Sequence, residues 1–250
     1  MSQVEYGPLA GLYDLINEEY IDYDAQARFV VGLLRELGVR EGWVLDLGCA
    51  TAQHALRLAR AGYGVVGVDC SLPLLRKAKR RLARRPDSHV VCADLRTLPL
   101  RPGFAAAVCL NHTINYMLGD DLARAAREVR RVLRPGGVWL VDFFHYGPAD
   151  KWNAVWREIV ATDDIRVRTV HRMTVDPGEQ SATDAHVYLV TRDGRTQSFE
   201  GVDRLRITTL AGMEAELQRL GFQVVRSGTK ADLGMDETDK SVLIAARVGA

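Results

Sequence analysis

The chain has no apolar run approaching the roughly 20 residues that cross a bilayer as a helix, so no membrane-spanning helix is expected. It has almost no net charge: 33 Lys and Arg stand against 32 Asp and Glu, leaving +1. A balanced chain makes no global field for a polyanion, and nothing in its charge points to nucleic acid. Its four cysteines, Cys49, Cys70, Cys92 and Cys109, have no C-x-x-C spacing. That excludes the familiar zinc and dithiol motifs; no metal is expected, and the thiols read as buried and free in a reducing cytoplasm. The first twenty residues are acidic and broken by Gly7-Pro8, unlike an export signal or a transit peptide. Repeats and low-complexity blocks are also missing.

What is present is a globular balance, 47% hydrophobic and 26% charged, ordered as alternating strands and helices. Asp24–Leu37 carries Phe29, Val30, Leu33, Leu34 and Leu37 on one helical stripe. Trp43–Leu47, Gly64–Asp69, His89–Ala93, Ala105–Leu110 and Val138–Phe144 are short apolar runs without polar alternation, as in strands buried on both faces. Helical spacing fills Thr51–Ala61, Leu72–Arg85 and Asp120–Leu133 between them. This rhythm predicts an α/β fold, a doubly wound and mostly parallel sheet joined by right-handed crossovers. After about residue 150 the pattern changes. Ile165–Val175, Ala185–Thr191 and Thr196–Ile207 are β-rich and partly alternating, with turn signals at Asp176-Pro177-Gly178 and Asp193-Gly194. An antiparallel β insertion over 151–207 is expected, opened by a helix carrying Trp152 and Trp156 four residues apart. Segment 208–250 then returns to the core, with a helix from Leu210 to Leu220 and strands at Phe222–Arg226 and Lys240–Val248.

In an open parallel sheet, ligands sit beyond the carboxyl ends of the strands. The first strand exits through Asp46-Leu47-Gly48-Cys49-Ala50-Thr51-Ala52 into a helix. A small residue there lets backbone approach a ligand, and the helix start offers free N–H donors. Asp69 ends the second strand, about 20 residues on, where a carboxylate can accept from ribose hydroxyls. Asp94 follows the third. The G-x-G-x-x-G turn that wraps a dinucleotide pyrophosphate is missing: Ala50 and Gln53 hold its second and third glycine positions. A nicotinamide-dependent oxidoreductase is therefore the weaker reading.

The runs VLDLGCATAQHALRLARAGYGVVGVDCS, VVCADLRTLPL and AREVRRVLRPGGVWLVDFF resemble the class I S-adenosylmethionine (SAM)-dependent methyltransferases, and the resemblance extends over most of the chain. It implies a seven-stranded sheet whose last strand is antiparallel, a cofactor core over 40–150, and an N-terminal helical lid within 1–37 of the kind found in relatives acting on small molecules. It implies SAM as cofactor, with the methionine end near Gly48, the ribose at Asp69 and the adenine at Asp94. The full implied cofactor set is Tyr13, Tyr20, Asp46, Gly48, Ala50, Asp69, Cys70, Asp94, Leu95 and Asn111. Ala50 and Ala52 stand where glycine is common in this family, which motivates a further alternative, a SAM-binding protein without turnover.

The reaction implied is methyl transfer to an N or O nucleophile of a small-molecule acceptor. His112, at the fourth strand's end, is the first candidate for a base or hydrogen-bond partner, and His145, after the fifth strand, is the second. His54, His89, His171 and His186 read as structural. Tyr116, Trp152 and Trp156 are candidate aromatic walls for the acceptor, with Tyr13, Tyr20 and Tyr23 contributing from the lid. The basic run Arg76–Arg85 reads as a solvated helix face. An insertion with an exposed edge strand is compatible with a homodimer.

Overall fold

The structure is a computed structural model, and it describes residues 6–144, 154–235 and 241–249. In chain order the elements are α1 (Tyr13–Glu18), α2 (Tyr23–Glu36), β1 (Trp43–Leu47), α3 (Gln53–Arg60), β2 (Gly64–Asp69), α4 (Leu72–Leu82), β3 (Ser88–Cys92), β4 (Phe104–Cys109), a 3-10 turn at Thr113–Tyr116, α5 (Asp121–Val132) and β5 (Leu133–Phe143). Next come β6 (Ala154–Ala161), β7 (Ile165–Asp176), β8 (Ser181–Arg192), β9 (Arg195–Arg206), α6 (Leu210–Arg219), β10 (Phe222–Thr229) and β11 (Val242–Val248).

The seven-stranded sheet has the order β10-β11-β5-β4-β1-β2-β3. Strands β1 to β5 pair in parallel, and β11 lies antiparallel to both β5 and β10. Alternate strand residues feed opposite faces. Leu45, Trp139 and Ile244 enter one core, while Val44, Val138 and Leu243 enter the other. Strand order reverses between β1 and β4, so the crevice opens where β1, β2 and β4 end.

The expected antiparallel insertion is present as a four-stranded sheet, β6-β7-β8-β9. Its first strand corrects the sequence reading: Trp156 lies on β6, not on a helix, and Trp152 lies outside the described residues. Ala154–Ala161 carries apolar residues on both faces, so a spacing of four fits strand and helix alike. The helix expected from Thr51 starts at Gln53, because Ala52 takes a left-handed conformation at φ 65°. The lid packs on the insertion through Leu9 and Ile16 against Val167, Tyr188 and Val190. The cysteine reading holds in part. None of the four thiols is in a disulfide, but only Cys49 and Cys109 are buried; Cys70 and Cys92 are exposed at the β2 exit and on edge strand β3.

Candidate active site: two adjoining cavities

The first cavity lies at the carboxyl ends of β1, β2 and β4. It is lined by Asp46, Gly48, Ala50, Asp69, Cys70, Asp94, Leu95 and Asn111, with Tyr13 and Tyr23 from the lid side. Gly48 has φ +70°, and a Cβ there would overlap the Thr113 side chain, so only glycine keeps the turn in place. Asp69 fixes the turn from the next strand: it accepts from Ala50 N at 2.9 Å and Ser71 N at 2.8 Å. Burial nevertheless raises its carboxyl above the usual carboxylate range. Asp46 is buried more deeply, and burial pushes it up to about 7. Its Oδ2 has no hydrogen-bond partner among the described residues. A buried carboxylate oxygen that lacks a donor and lines a cavity suits a cationic ligand group. The ammonium of SAM's methionine end is such a group, so the residues present fit this cofactor.

Asp94 is engaged more fully than its expected adenine role required. It accepts from Arg96 N at 2.8 Å and from Nε at 2.9 Å, and pairs with Nη2 at 2.5 Å, while Arg96 also reaches Asp121 at 2.7 Å. This pairing holds the Asp94 carboxyl below its ordinary value. A carboxylate retains further lone pairs beside such a fork.

The second cavity, about 550 Å³, is of small-molecule size. It shares Tyr6, Tyr13, Asn111 and Tyr116 with the first. Its remaining wall includes Tyr20, His112 and Phe144 and the inner face of the insertion sheet. Tyr20 lines this second cavity and not the first. Asn111 and His112 both adopt left-handed backbone, φ 54° and 64°, and their N–H groups donate to Asp142 at 2.9 and 2.7 Å. The His112 ring stacks on Phe144 with centroids 3.8 Å apart. Asp142 also receives Lys230 Nζ at 2.7 Å, and both side chains are fully buried. Asn115 joins this loop to the insertion, donating to Arg206 O at 2.7 Å and accepting from Phe144 N at 3.1 Å.

Register builds the insertion's wall. Trp156 pairs with His171, and His171 with His186; one step along, Ala154 pairs with Met173, Met173 with Asp184, and Asp184 with Asp203. Strand alternation sends these side chains into the same cavity. Trp156 and His171 rings stack, 4.8 Å apart and 2° from parallel. Asp184 lies 2.9 Å from His171 Nδ1 and 3.6 Å from His186 Nδ1. Burial pushes its carboxyl up, but the two imidazoles outweigh that and hold it at about 2. Sequence reading took His171 and His186 as structural and did not single out Asp184, Asp203 or Lys230. The hairpin turns and the alternation were legible and would have aligned the first four; Lys230 carries no local signal.

Among the other candidates, His145 lies outside the described residues. His54, read from the sequence as structural, borders the first cavity; it is buried, 2.9 Å from Gln26 Oε1, and burial lowers it to about 4. His89 stacks on Trp43, far from both cavities in the fold. The basic run is not wholly solvated: Lys77 and Arg81 each reach Asp14 of the lid at 3.1 Å. Removing Asp14 by alanine substitution should unlatch α1 and weaken binding of the demethylated product S-adenosylhomocysteine (SAH) about five- to tenfold, as loss of a half-buried charged contact implies. Calorimetry checks this; an unchanged affinity would mean that the latch has no part in ligand closure.

The comparisons agree with this geometry. A methyltransferase-domain family model matches residues 44–137. The chain is 28% identical over 224 residues to a dTDP-3-amino-3,4,6-trideoxy-alpha-D-glucopyranose N,N-dimethyltransferase of Streptomyces venezuelae, covering 86% of this chain and 90% of that protein. It is 30% identical over 143 residues to the dTDP-3-amino-3,6-dideoxy-alpha-D-glucopyranose N,N-dimethyltransferase of Streptomyces fradiae, where the match spans about half of each, 56% and 55%. The solved structure of a SAM-bound amino pentose methyltransferase from Micromonospora echinaspora superposes with a TM-score of 0.77 at 22% identity, covering 92% and 93% of the two chains, a likeness of fold. With the sheet order, the β1 turn, Asp69 and these matches together, the chain is a SAM-dependent methyltransferase, similar over most of its length to one that acts on a small molecule.

Proposed function

We propose that this enzyme methylates an amine nitrogen of a small, polar acceptor of the amino-sugar kind, with the acceptor in the second cavity and SAM in the first. The observation that carries the reading is the junction of the two cavities at Tyr13, Asn111 and Tyr116. The relatives' substrates support the nitrogen. SAM supplies a methyl group on a sulfonium whose departure leaves a neutral thioether, so the protein has no leaving group to activate. Its work is orientation and exclusion of water. Asp46 holds the cofactor's ammonium end, Gly48 and Ala50 shape the turn beside it, Asp69 with Cys70 reads the ribose, and Asp94 with Leu95 borders the adenine. Tyr13 covers the junction from the lid. An amine reacts only as the free base, so a proton must leave its ammonium; His112, fixed by Phe144 and Asp142, takes that role at the acceptor side.

Release of SAH on incubation with SAM and amino sugars tests the function. Turnover with amines and not with their hydroxyl counterparts is expected, and binding of SAM with no turnover on either set would favour the binding-protein alternative. The nicotinamide reading has no support in the structure: Gln53, at the third glycine position, is buried and hydrogen-bonded to Glu18. A homodimer through the insertion is part of the proposal, supported by Val155, Ile159 and Val202, exposed on the sheet's outer face; light scattering gives the mass. No helix among the described residues is long and apolar enough to cross a membrane.

A further inference from the structure

The insertion sheet places two carboxylates directly opposite each other inside a cavity. Asp184 on β8 and Asp203 on β9 are ladder partners, both buried, and both line the acceptor cavity. Like charges in that relation repel, and a sheet normally avoids them. Asp184 has His171 and His186 beside it. Asp203 makes no ion pair with Lys or Arg among the described residues; it accepts from the Tyr116 hydroxyl at 3.4 Å, and the His186 imidazole offsets part of its burial. Tyr116 also lines the cofactor cavity, so Asp203 is linked through one side chain to the place where the cavities meet. The pair is thus a carboxylate patch with His171 and His186 on its Asp184 side, walled by Trp156 and Tyr188, whose rings add favourable faces for a cation.

We propose that Asp203, with Asp184 opposite and Tyr116 beside it, is the element that recognises the acceptor as an organic ammonium and makes the enzyme selective for amines over alcohols. The proposal rests on the methyltransferase reading for what happens next, but the recognition itself does not need the cofactor. The acceptor docks charged, its ammonium neutralising the carboxylate pair; a neutral hydroxyl in the same place would leave the repulsion unrelieved. Asp203 is here a specificity-determining residue, and His112 remains the proton acceptor.

The test uses matched probes by calorimetry, with and without SAH: 3-amino-3-deoxy-D-glucose against D-glucose, and dTDP-3-amino-3,6-dideoxyglucose against dTDP-6-deoxyglucose. In at least one pair the amine is expected to bind tenfold or more tightly than the alcohol, with the preference lost in Asp203→Asn. The pair that responds tells whether the ammonium arrives on a free or a nucleotide-linked sugar. The same variant, free of probe, is expected to melt about 2 °C higher, because repulsion is relieved; a purely structural carboxylate would give a lower melting temperature. No amine preference in either pair, a preference that survives Asp203→Asn, or a lower melting point overturns the proposal. So does zinc binding, dependent on His171 and Asp184, that excludes the amines, since the His171, Asp184 and His186 ligand atoms lie within 4.8 Å of one another and would then be a metal site. Failure of SAH to bind would strike the cofactor reading and leave the amine result standing.

Discussion

Asp46→Asn is expected to weaken SAM binding by about 100-fold or more, the cost of removing one partner from a buried, hydrogen-bonded charge pair. Asp46 is 2% exposed, sits on central strand β1, and presents to the cofactor cavity an Oδ2 atom with no partner among the described residues. Asparagine keeps the shape and removes the charge. The pH dependence gives a second readout. Burial raises this carboxyl to about 7 in the fold, so the folded protein holds its proton more tightly than the unfolded chain does. A raised carboxyl means that the ligand-free protein is favoured at low pH and loses that advantage as pH climbs from about 4 to about 7. Asp46→Asn should therefore melt higher than wild type at pH 8 in the absence of ligand, with the difference shrinking on acidification. SAM binding, which needs the ionised carboxylate, should weaken in wild type as pH falls below 7 and lose this dependence in the variant. Calorimetry at pH 6, 7 and 8 separates these outcomes, and equal affinity of the two proteins would remove Asp46 from the cofactor site.

The second large effect belongs to Lys230→Met, which should destabilise the protein by about 3–5 kcal/mol and lower its melting temperature by about 10 °C. Lys230 and Asp142 are both 0% exposed, with 2.7 Å between Nζ and Oδ2. Taking away the ammonium leaves a buried carboxylate whose remaining hydrogen bonds among the described residues come from the Asn111 and His112 amides. Burial alone would raise Asp142, and the Lys230 charge and hydrogen bond together with His112 outweigh it to hold the carboxyl below its ordinary value. A depressed carboxyl contributes stability above its unfolded value near 3.8, and that stability is lost as pH falls through the folded value. The penalty of Lys230→Met should thus be full at neutral pH and fade in acid. Lys230→Met combined with Asp142→Asn should recover part of the loss, because no charge is then left unpaired. Melting scans over pH check both; a loss below about 1 kcal/mol would mean that the pair is not buried as described. Because Asp142 holds the His112 amide, the single variant should also lose turnover beyond its loss of folded protein.

Much of the core was legible in the chain for one physical reason. A strand buried on both faces must be continuously apolar, and Trp43–Leu47, Gly64–Asp69 and Phe104–Cys109 are close to that limit. The cofactor end was legible because the functional groups sit at those strands' exits, where order along the chain is also order in space. The insertion was less so. Its strands face a cavity on one side and solvent on the other, and Trp156 could be placed on a helix because β6 has apolar residues on both faces. His171, Asp184 and His186 are far from the motif positions and become neighbours only through register. Read singly, each histidine is one polar residue on a strand; read through the hairpin at Asp193-Gly194 and the turn at Asp176-Gly178, they and Asp203 form one wall. The basic run on α4 shows the converse. Its charge density suggested solvent, but the lid's Asp14 is brought to Lys77 and Arg81 by contacts between segments that sequence spacing cannot show.

The central claim is that the cavity beyond β1, β2 and β4 holds SAM through Asp69 and the Gly48 turn. Titration of purified protein with SAM and SAH in a calorimeter tests it most directly. The account predicts micromolar binding of both, weakened at least tenfold by Asp69→Ala, which removes the carboxylate that fixes Ala50 and Ser71. Absence of binding by ligand-free, folded protein, or binding indifferent to Asp69→Ala, would contradict it.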